Sequence, residues 1–293
     1  MTPSADCSPK AFFWGVMDSE ERRRYWCGQM DAAFRFMELM RGYPVQECGE
    51  PFVSLREVLD GVEVLFSETK INHTYPRVYY VREQLALSLR QVARAMNDRG
   101  WVLKIEDAYR SPEMQRAQSH NPRHFDRILE KVRWELGGEL PTPELMLKRL
   151  SAIIATRCSV GTHVSGSAVD ISVFDRTTGN ELERGGRYVE ISERTPMQSP
   201  FVTEEERRNR MEIAGLMQAY GWYAYPYEFW HFSQGDCYAE WLSGSGKPGR
   251  YGPVSWNGKE ILPIDREEAD RLLEPLAFYE REIQAALERA TPP

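Results

Sequence analysis

The sequence lacks the features on which several protein classes depend. Its 293 residues include only five cysteines, an odd number without CxxC spacing, so we expect neither a disulfide framework nor a thiolate zinc site. No apolar run approaches the roughly 18–20 residues of a membrane span. A basic excess is absent too, because 37 Lys and Arg stand against 44 Asp and Glu and give a net charge of −7. This acidic balance argues against a nucleic-acid or anionic-membrane partner.

The rest of the composition is that of a globular protein, with 42% hydrophobic and 28% charged residues. Residues 11–17 resemble the apolar part of a signal peptide, but Asp6 precedes them and the acidic residues 18–21 follow at once. We therefore expect a packed N-terminal segment and a reduced, cytoplasmic protein. Helical and extended patterns are segregated along the chain rather than alternating, which favours an α+β fold.

Capping signals and periodicity predict the main elements. Helices are predicted over 19–41, 81–97, 142–156 and 203–220, after Ser111-Pro112, and near the C-terminus with a kink at Pro275. Strands are predicted over 101–107 and 169–174 and within the aromatic run 222–232.

Two of the five histidines lie in unusual surroundings. His163 is in a loop of small residues, 161–168, that leads into the predicted strand carrying Asp170. Because side chains alternate along a strand, Asp170 points away from its apolar neighbours and toward the loop histidine. His231 follows Glu228 at a spacing of three residues.

Two imidazoles and one carboxylate match a catalytic zinc site, in which three protein ligands leave one position for water. We predict that His163, Asp170 and His231 bind one zinc ion per chain, and that Glu228 is the general base that takes a proton from metal-bound water. In a flat strand the Glu228 and His231 side chains would point to opposite faces, so the arrangement requires a bend, which Pro226 favours.

The other three histidines are predicted to lie outside this site. Pro122, between His120 and His124, prevents a shared helical face. His73 is predicted to be a loop residue.

The pattern His163-x-x-Gly166-x-Ala168-x-Asp170, followed by Glu228-x-x-His231, resembles the zinc D-alanyl-D-alanine dipeptidases and carboxypeptidases of the VanX and VanY types. The likeness extends to the segments 107–111 and 186–188 and covers about residues 62–238. It implies an α+β domain with a small central antiparallel sheet flanked by helices, as in VanX and Hedgehog-like folds. The chain would then divide into an N-terminal helical extension (1–60), a zinc metallopeptidase domain (61–240) and a C-terminal helical extension packed on it (241–293).

The resemblance implies the same ligands and base, with Glu228 serving as both base and acid, and adds further roles. Arg110 would stabilise the oxyanion that forms during hydrolysis. The residues expected to contact the substrate are Ser167, Trp230 and Glu190.

Two positions depart from the dipeptidase pattern. Gly161 stands where the family has a serine, two residues before the first metal histidine. Val189 stands where the dipeptidases carry an aspartate that pairs with the free amino group of the substrate, and Glu190 follows it. Neighbouring strand positions face opposite ways, so Glu190 replaces that aspartate only if the chain slips by one residue. Loss of the aspartate would admit an N-acylated or longer peptide.

The leading prediction is therefore zinc-dependent hydrolysis of D-alanyl-D-alanine or a related small peptide, with no nucleic-acid or membrane partner and an oligomeric state that the sequence leaves open. One alternative is a D,D-carboxypeptidase acting on peptidoglycan stem peptides, which needs access to the cell wall. Another is a non-haem iron oxygenase, which uses the same two-histidine, one-carboxylate triad but requires no glutamate at position 228. A third is a non-catalytic zinc-binding module, against which the presence of Glu228 and Arg110 argues.

Overall fold

The structure is a computed structural model that describes residues 19–290. The signal-like segment at residues 11–17 lies outside the described residues. The α-helices are α1 (Ser19–Gly42), α2 (Leu55–Val58), α3 (Glu83–Asp98), α4 (Pro112–Ser119), α5 (Pro122–Glu135), α6 (Pro143–Ser151), α7 (Glu204–Ala219), α8 (Cys237–Ser243), α9 (Arg266–Ala269) and α10 (Leu276–Ala290). The strands are β1 (Phe52–Ser54), β2 (Val64–Phe66), β3 (Tyr80–Arg82), β4 (Trp101–Asp107), β5 (Ala168–Asp175), β6 (Tyr223–Ala224), β7 (His231–Ser233), β8 (Val254–Trp256) and β9 (Ile261–Pro263).

A five-stranded sheet in the order β2-β4-β5-β7-β6 forms the centre of the fold. The α+β class is confirmed, but the expectation of an antiparallel sheet is wrong for one strand, because β2 runs parallel to β4 while the other pairs are antiparallel. The connection from β2 to β4 contains α3, and parallel neighbours require such a long crossover.

Alternation along β5 decides which face of the sheet carries polar groups. Val169, Ile171 and Val173 are fully buried and pack in one hydrophobic core with residues of α3 and α7. Asp170 and Ser172 therefore project to the opposite face. The two faces of β5 thus separate the core from the polar site.

Several helix boundaries follow directly from local capping chemistry. The Ser111 hydroxyl accepts from the first turn of α4, and Thr203 forms a capping box at the start of α7, as predicted. The helix predicted to reach residue 156 ends at Ser151. The predicted kink at Pro275 is wrong, because α10 begins at Leu276 and proline, which has no N–H to donate, only precedes it.

A second hydrophobic core joins the two ends of the described chain. Trp26 of α1, Phe125 of α5, Leu150 of α6 and Tyr279 of α10 are buried together in it. The terminal helices therefore pack against helices from the middle of the chain, whereas the predicted division at residues 60 and 240 remains a prediction. Within the described residues, no helix combines the length and apolar character needed to cross a membrane.

Candidate active site

Three potential metal ligands meet where β5 and β7 run side by side. Asp170 is the direct antiparallel partner of His231, and His163 comes from the loop that precedes β5. One donor atom from each residue lies within 4.8 Å of the other two. Oδ1 of Asp170 lies 2.9 Å from Nδ1 of His231 and 3.2 Å from Nε2 of His163. The structure thus brings together the three residues that the sequence predicts as ligands.

Gly166 allows the histidine loop to turn back toward the sheet. Its φ of +67° lies in the left-handed region, and a Cβ built at this position would lie 1.8 Å from Cε1 of Phe52. The Gly166 N–H donates to the His163 carbonyl at 3.2 Å, which closes the turn. The glycine of the motif is therefore required for steric reasons.

Hydrogen bonds determine which nitrogen of each ring faces the cluster. Nδ1 of His163 lies 2.6 Å from the Ala108 carbonyl, an acceptor that requires an N–H there. Nε2 of His163 is then the free nitrogen, and it is buried without a hydrogen-bond partner. In His231 the roles are reversed, since Nε2 lies 2.9 Å from the Thr162 hydroxyl and Nδ1 faces Asp170.

This donor set fits a zinc ion. Two imidazole nitrogens and one carboxylate oxygen are a common ligand set for catalytic zinc, and the unpartnered Nε2 of His163 provides a lone pair. Burial opposes ionisation of Asp170, yet the neighbouring His163 and His231 hold its pKa well below the usual range. Burial lowers the pKa of His231 and favours the neutral ring that a ligand needs.

Glu228 reaches the same cavity because the chain bends ahead of β7. The Glu228 N–H donates to the Tyr225 carbonyl at 3.2 Å across a turn that contains Pro226. Glu228 and His231 consequently line one cavity, so the bend that the sequence analysis required is present. Burial, reinforced by the negative charge of Asp170, raises the pKa of the Glu228 carboxyl well above its usual range, and Arg110 partly opposes this shift.

Arg110 lies just beyond the end of β4, where three acceptors hold its guanidinium. Nε donates to Asp107 at 2.7 Å, Nη1 to Gln115 at 3.1 Å and Nη2 to Oδ2 of Asp170 at 3.1 Å. Asp107 is completely buried and lies 2.8 Å from a second guanidinium, that of Arg77. The Arg110 charge is therefore fixed beside the carboxylate of Asp170, one of the three predicted metal ligands.

Several residues of the site were not predicted from the sequence. The Tyr188 hydroxyl donates to Oδ2 of Asp170 at 3.1 Å, and Thr162 supports His231. The expectation that His124 lies outside the site is wrong, because His124 lines the cavity. Pro122 occupies the first turn of α5 instead of interrupting a helix, and His124 follows it in that turn. Tyr188 and Thr162 both fall in the segments that carry the family resemblance, which is the one signal that could have identified them.

The three predicted substrate contacts have different outcomes. Trp230 lines the cavity, with its ring packed edge-on against Tyr188 at 5.9 Å between centroids. Ser167 does not line the cavity, so its expected role as a substrate contact is corrected. Its buried hydroxyl instead donates to Asp236 at 2.6 Å. Glu190 does not line it either, because it faces a separate surface groove, whereas Val189 faces the cavity.

The cavity beside the metal cluster is small, at about 60 Å³. Its polar wall holds the three predicted ligands with Glu228 and Arg110. Its apolar wall is drawn from distant parts of the chain and includes Met37 of α1, Ile154, Val189 and Trp230. The cavity therefore offers both polar and apolar contacts to a bound substrate.

Comparisons with known proteins point to one family. A family model described as D-ala-D-ala dipeptidase matches residues 140–242. The D-alanyl-D-alanine dipeptidase of Synechocystis sp. is 26% identical over 223 residues, which cover 68% of this chain and 87% of the relative. The dipeptidase of Escherichia coli is 33% identical over 70 residues, covering 24% of this chain and 36% of that protein. The dipeptidase of Enterococcus faecium is 30% identical over 74 residues, covering 25% and 37% respectively.

Among solved structures, the LdcB LD-carboxypeptidase is 19% identical and covers 70% of this chain and 79% of its own, with a TM-score of 0.35. Both motifs, at 163–170 and 228–231, lie within the segment that the family model matches, and the Synechocystis relative is matched over most of its length. The chain is therefore similar to the D-alanyl-D-alanine dipeptidases, in keeping with its resemblance to the peptidases of the VanX and VanY types.

Proposed function

We propose that this protein is a zinc-dependent peptidase that hydrolyses D-alanyl-D-alanine or a related small peptide. The observation that carries the proposal is the meeting of His163, Asp170 and His231 with Glu228 in one buried cavity. A glutamate beside the triad favours hydrolysis over oxygenase chemistry, which needs no base in that place. The retained Glu228 and Arg110 argue against a non-catalytic zinc module.

In this proposal His163 contributes Nε2, His231 contributes Nδ1 and Asp170 contributes Oδ1 to the metal. A bound zinc ion would polarise the scissile carbonyl and lower the pKa of the attacking water. The Ala108 carbonyl and the Thr162 hydroxyl keep the two rings in the tautomers that such ligation needs.

Glu228 is the proton carrier of the proposed reaction. Its carboxylate accepts a proton from the attacking water and returns that proton to the nitrogen of the leaving amine. A base works best when its pKa is close to the working pH, and burial moves the pKa of Glu228 upward in that direction. No other carboxylate except Asp170 lines the cavity in the described part of the chain.

Arg110 supplies fixed positive charge to the same cavity. Negative charge develops on the carbonyl oxygen as water adds, and a guanidinium that three acceptors already hold needs little reorganisation to stabilise it. The bond from Nη2 to Asp170 also orients a metal ligand, so Arg110 has a positioning role as well.

Val189 and Glu190 bear on the identity of the substrate. Val189 presents an isopropyl group to the cavity where the resemblance implies an amine-binding aspartate, and Glu190 faces elsewhere. An N-acylated or longer peptide is therefore proposed beside the free dipeptide, which keeps D,D-carboxypeptidase activity on stem peptides as the alternative. The cytoplasmic location remains a prediction from the sequence.

The test is release of free D-alanine from D-alanyl-D-alanine and from its N-acetyl derivative by the zinc-loaded protein. We expect Glu228→Gln to bind zinc normally and to lose about 10²–10⁴-fold in kcat, the usual contribution of a general base. Glu106→Gln is the matched control, since Glu106 is a buried glutamate outside the cavity and should leave kcat unchanged.

Each outcome separates the candidate functions. A fully active Glu228→Gln protein would contradict the general-base role. Release from the N-acetyl peptide alone would select the carboxypeptidase alternative, and Val189 would be the reason. Turnover of 2-oxoglutarate by an iron-loaded protein, without peptide cleavage, would refute the peptidase proposal in favour of an oxygenase.

A further inference from the structure

A second cavity, of about 420 Å³, adjoins the candidate active site. The two cavities share four lining residues, which are Gln118, His124, Tyr188 and Val189. Tyr188 donates a hydrogen bond to Asp170, one of the predicted metal ligands. The second cavity therefore begins immediately behind a residue of the site. A substrate longer than a dipeptide that passes Val189 would enter this space.

The second cavity is lined by cationic side chains. Lys70, Arg77 and Arg123 line it, and no aspartate or glutamate of the described residues does. Arg77 lies 2.8 Å from Asp107, which offsets its charge. Lys70 and Arg123 are exposed and have no ion-pair partner in the part of the chain that the structure describes. The cavity therefore carries the charges of Lys70 and Arg123, which no ion pair within the described residues compensates.

His124 lines both cavities, and its pKa reflects the positive charge around it. Burial, followed by repulsion from Arg110, Arg77 and Arg123, lowers the pKa of His124 to about 4. The ring is therefore neutral at pH 7 and adds a hydrogen-bonding group rather than a further charge. A cationic group of a ligand would be repelled here, whereas an anionic group would be attracted.

The outer wall of this cavity is a loop with an unusual backbone. Asn72 and His73 have φ values of 45° and 60°, in the left-handed region that few residues other than glycine adopt. The loop is closed by hydrogen bonds between Ile71 and Tyr75. The Arg77 guanidinium donates from Nε to the Thr69 carbonyl at 2.8 Å and so links the loop to the cationic wall. These hydrogen bonds give the wall a defined shape.

We propose that the second cavity binds a carboxylate carried by the substrate on the acyl side of the scissile bond. The proposal rests on the proposed peptidase function and specifies its substrate as an acidic N-acyl dipeptide or an acidic peptide. Val189 offers no partner for the ammonium group of a free dipeptide, and the charge beyond it disfavours that group. An acidic acyl group, in contrast, would reach Lys70 and Arg123 without burying an unpaired charge.

The experiment compares N-succinyl-D-alanyl-D-alanine with N-acetyl-D-alanyl-D-alanine, since the succinyl group is the longer by one methylene and carries a terminal carboxylate that the acetyl group lacks. Binding of each peptide to the full, zinc-loaded Glu228→Gln chain is measured by calorimetry, so that turnover does not interfere. We expect the succinyl peptide to bind about tenfold more tightly at low salt, as two exposed, unpaired cations allow. The preference should shrink as the salt concentration rises.

Two double variants identify the side chains responsible. Lys70→Ala with Arg123→Ala should abolish the preference for the succinyl peptide. Lys247→Ala with Arg208→Ala is the matched control, because it removes one exposed lysine and one exposed arginine that line neither cavity. The control should keep the full preference.

Equal affinities for the two peptides, or a preference that survives loss of Lys70 and Arg123, would overturn the proposal. The acyl-side assignment would be overturned if the Lys70→Ala, Arg123→Ala variant lost a preference for a free C-terminal carboxylate over its amide, whatever the acyl group of the peptide. A different result would contradict the proposed peptidase function. Zinc-loaded wild-type protein that releases no D-alanine from any of these peptides would refute it, while an intact succinyl preference would still support the carboxylate site.

Discussion

Thr162 provides the sharpest test of the metal site, because it supports a proposed ligand without touching the metal. Its hydroxyl lies 2.9 Å from Nε2 of His231, while Nδ1 of the same ring faces Asp170. Thr162→Val preserves the shape of the side chain and removes the acceptor. Thr162 is 5% exposed, so solvent reaches the abandoned N–H poorly. The ring of His231 then loses the contact that selects its tautomer.

The size of the effect can be estimated in two ways. Loss of an outer hydrogen bond to a metal-ligating histidine usually weakens metal binding about 10–100-fold, or about 1.4–2.8 kcal/mol. A buried donor left without its partner costs about 1–3 kcal/mol, which is the same range. We therefore expect the Kd for zinc to rise about 10–100-fold in Thr162→Val.

The assay is a competition titration of zinc against a chelator of known affinity, with urea unfolding of the metal-free proteins to verify the fold. Thr156→Val is the control, because Thr156 is equally buried and its hydroxyl bonds to Ser151 at 2.8 Å, outside the cavity. Its zinc affinity should match that of the wild type. If Thr162→Val also bound zinc with unchanged affinity, the tautomer argument would be refuted, and the ligand assignment of His231 would lose its structural support.

Three further changes test other parts of the structure. Burial opposes ionisation of Glu193, but Lys131 and Arg22 lower its pKa from 4.5 to about 2, so this carboxylate stabilises the fold above pH 4.5 and loses that effect as the pH falls toward 2. Glu193→Gln should therefore cost about 2 kcal/mol in urea unfolding at pH 7, and the difference from wild type should shrink at pH 3. Gly166→Ala should lower the free energy of unfolding by more than about 2 kcal/mol in the same assay, because its φ is +67° and the new Cβ has no room. Met37→Ala should cost about 2–4 kcal/mol and widen the cavity, which a higher relative kcat/KM for peptides with larger side chains would reveal.

The parts of the fold that the sequence predicts are those set by neighbouring residues. Alternation along 169–174 predicts that Asp170 projects opposite the core, and β5 is built in this way. Ser111 and Thr203 predict two helix starts, because an N-cap acts within one turn. The convergence of His163 and His231 is a long-range contact that no local pattern contains, and its prediction depends on the chemistry of a three-ligand zinc site and on the motif resemblance.

The errors arise where long-range packing or local context overrides a pattern. Pro122 does separate His120 from His124, which belong to different helices, but proline in the first turn of a helix is well tolerated and leaves His124 free to line the cavity. Ser167 belongs to the motif, yet a partner on another element, Asp236, takes its hydroxyl away from the cavity. Likewise, the parallel position of β2 depends on where the crossover through α3 places it, which strand periodicity does not encode.

The contrast between local patterns and long-range packing also separates the residues proposed for the reaction from those proposed to select the substrate. The proposed ligands and base lie in two short motifs, each built around one strand of the central sheet. The walls of the cavity, in contrast, come from elements far apart in the sequence. Met37 belongs to α1, outside the segment that resembles the family, and its sulfur lies 2.7 Å from the Tyr238 hydroxyl, which donates to the Val160 carbonyl. Because α1 packs in one core with α6 and α10, a change in either terminal helix would move the wall without touching the metal cluster. Relatives that share both motifs can therefore share a reaction and differ in the peptide they cleave, which is why the substrate must be sought at Val189 and in the cationic cavity beyond it rather than in the motifs.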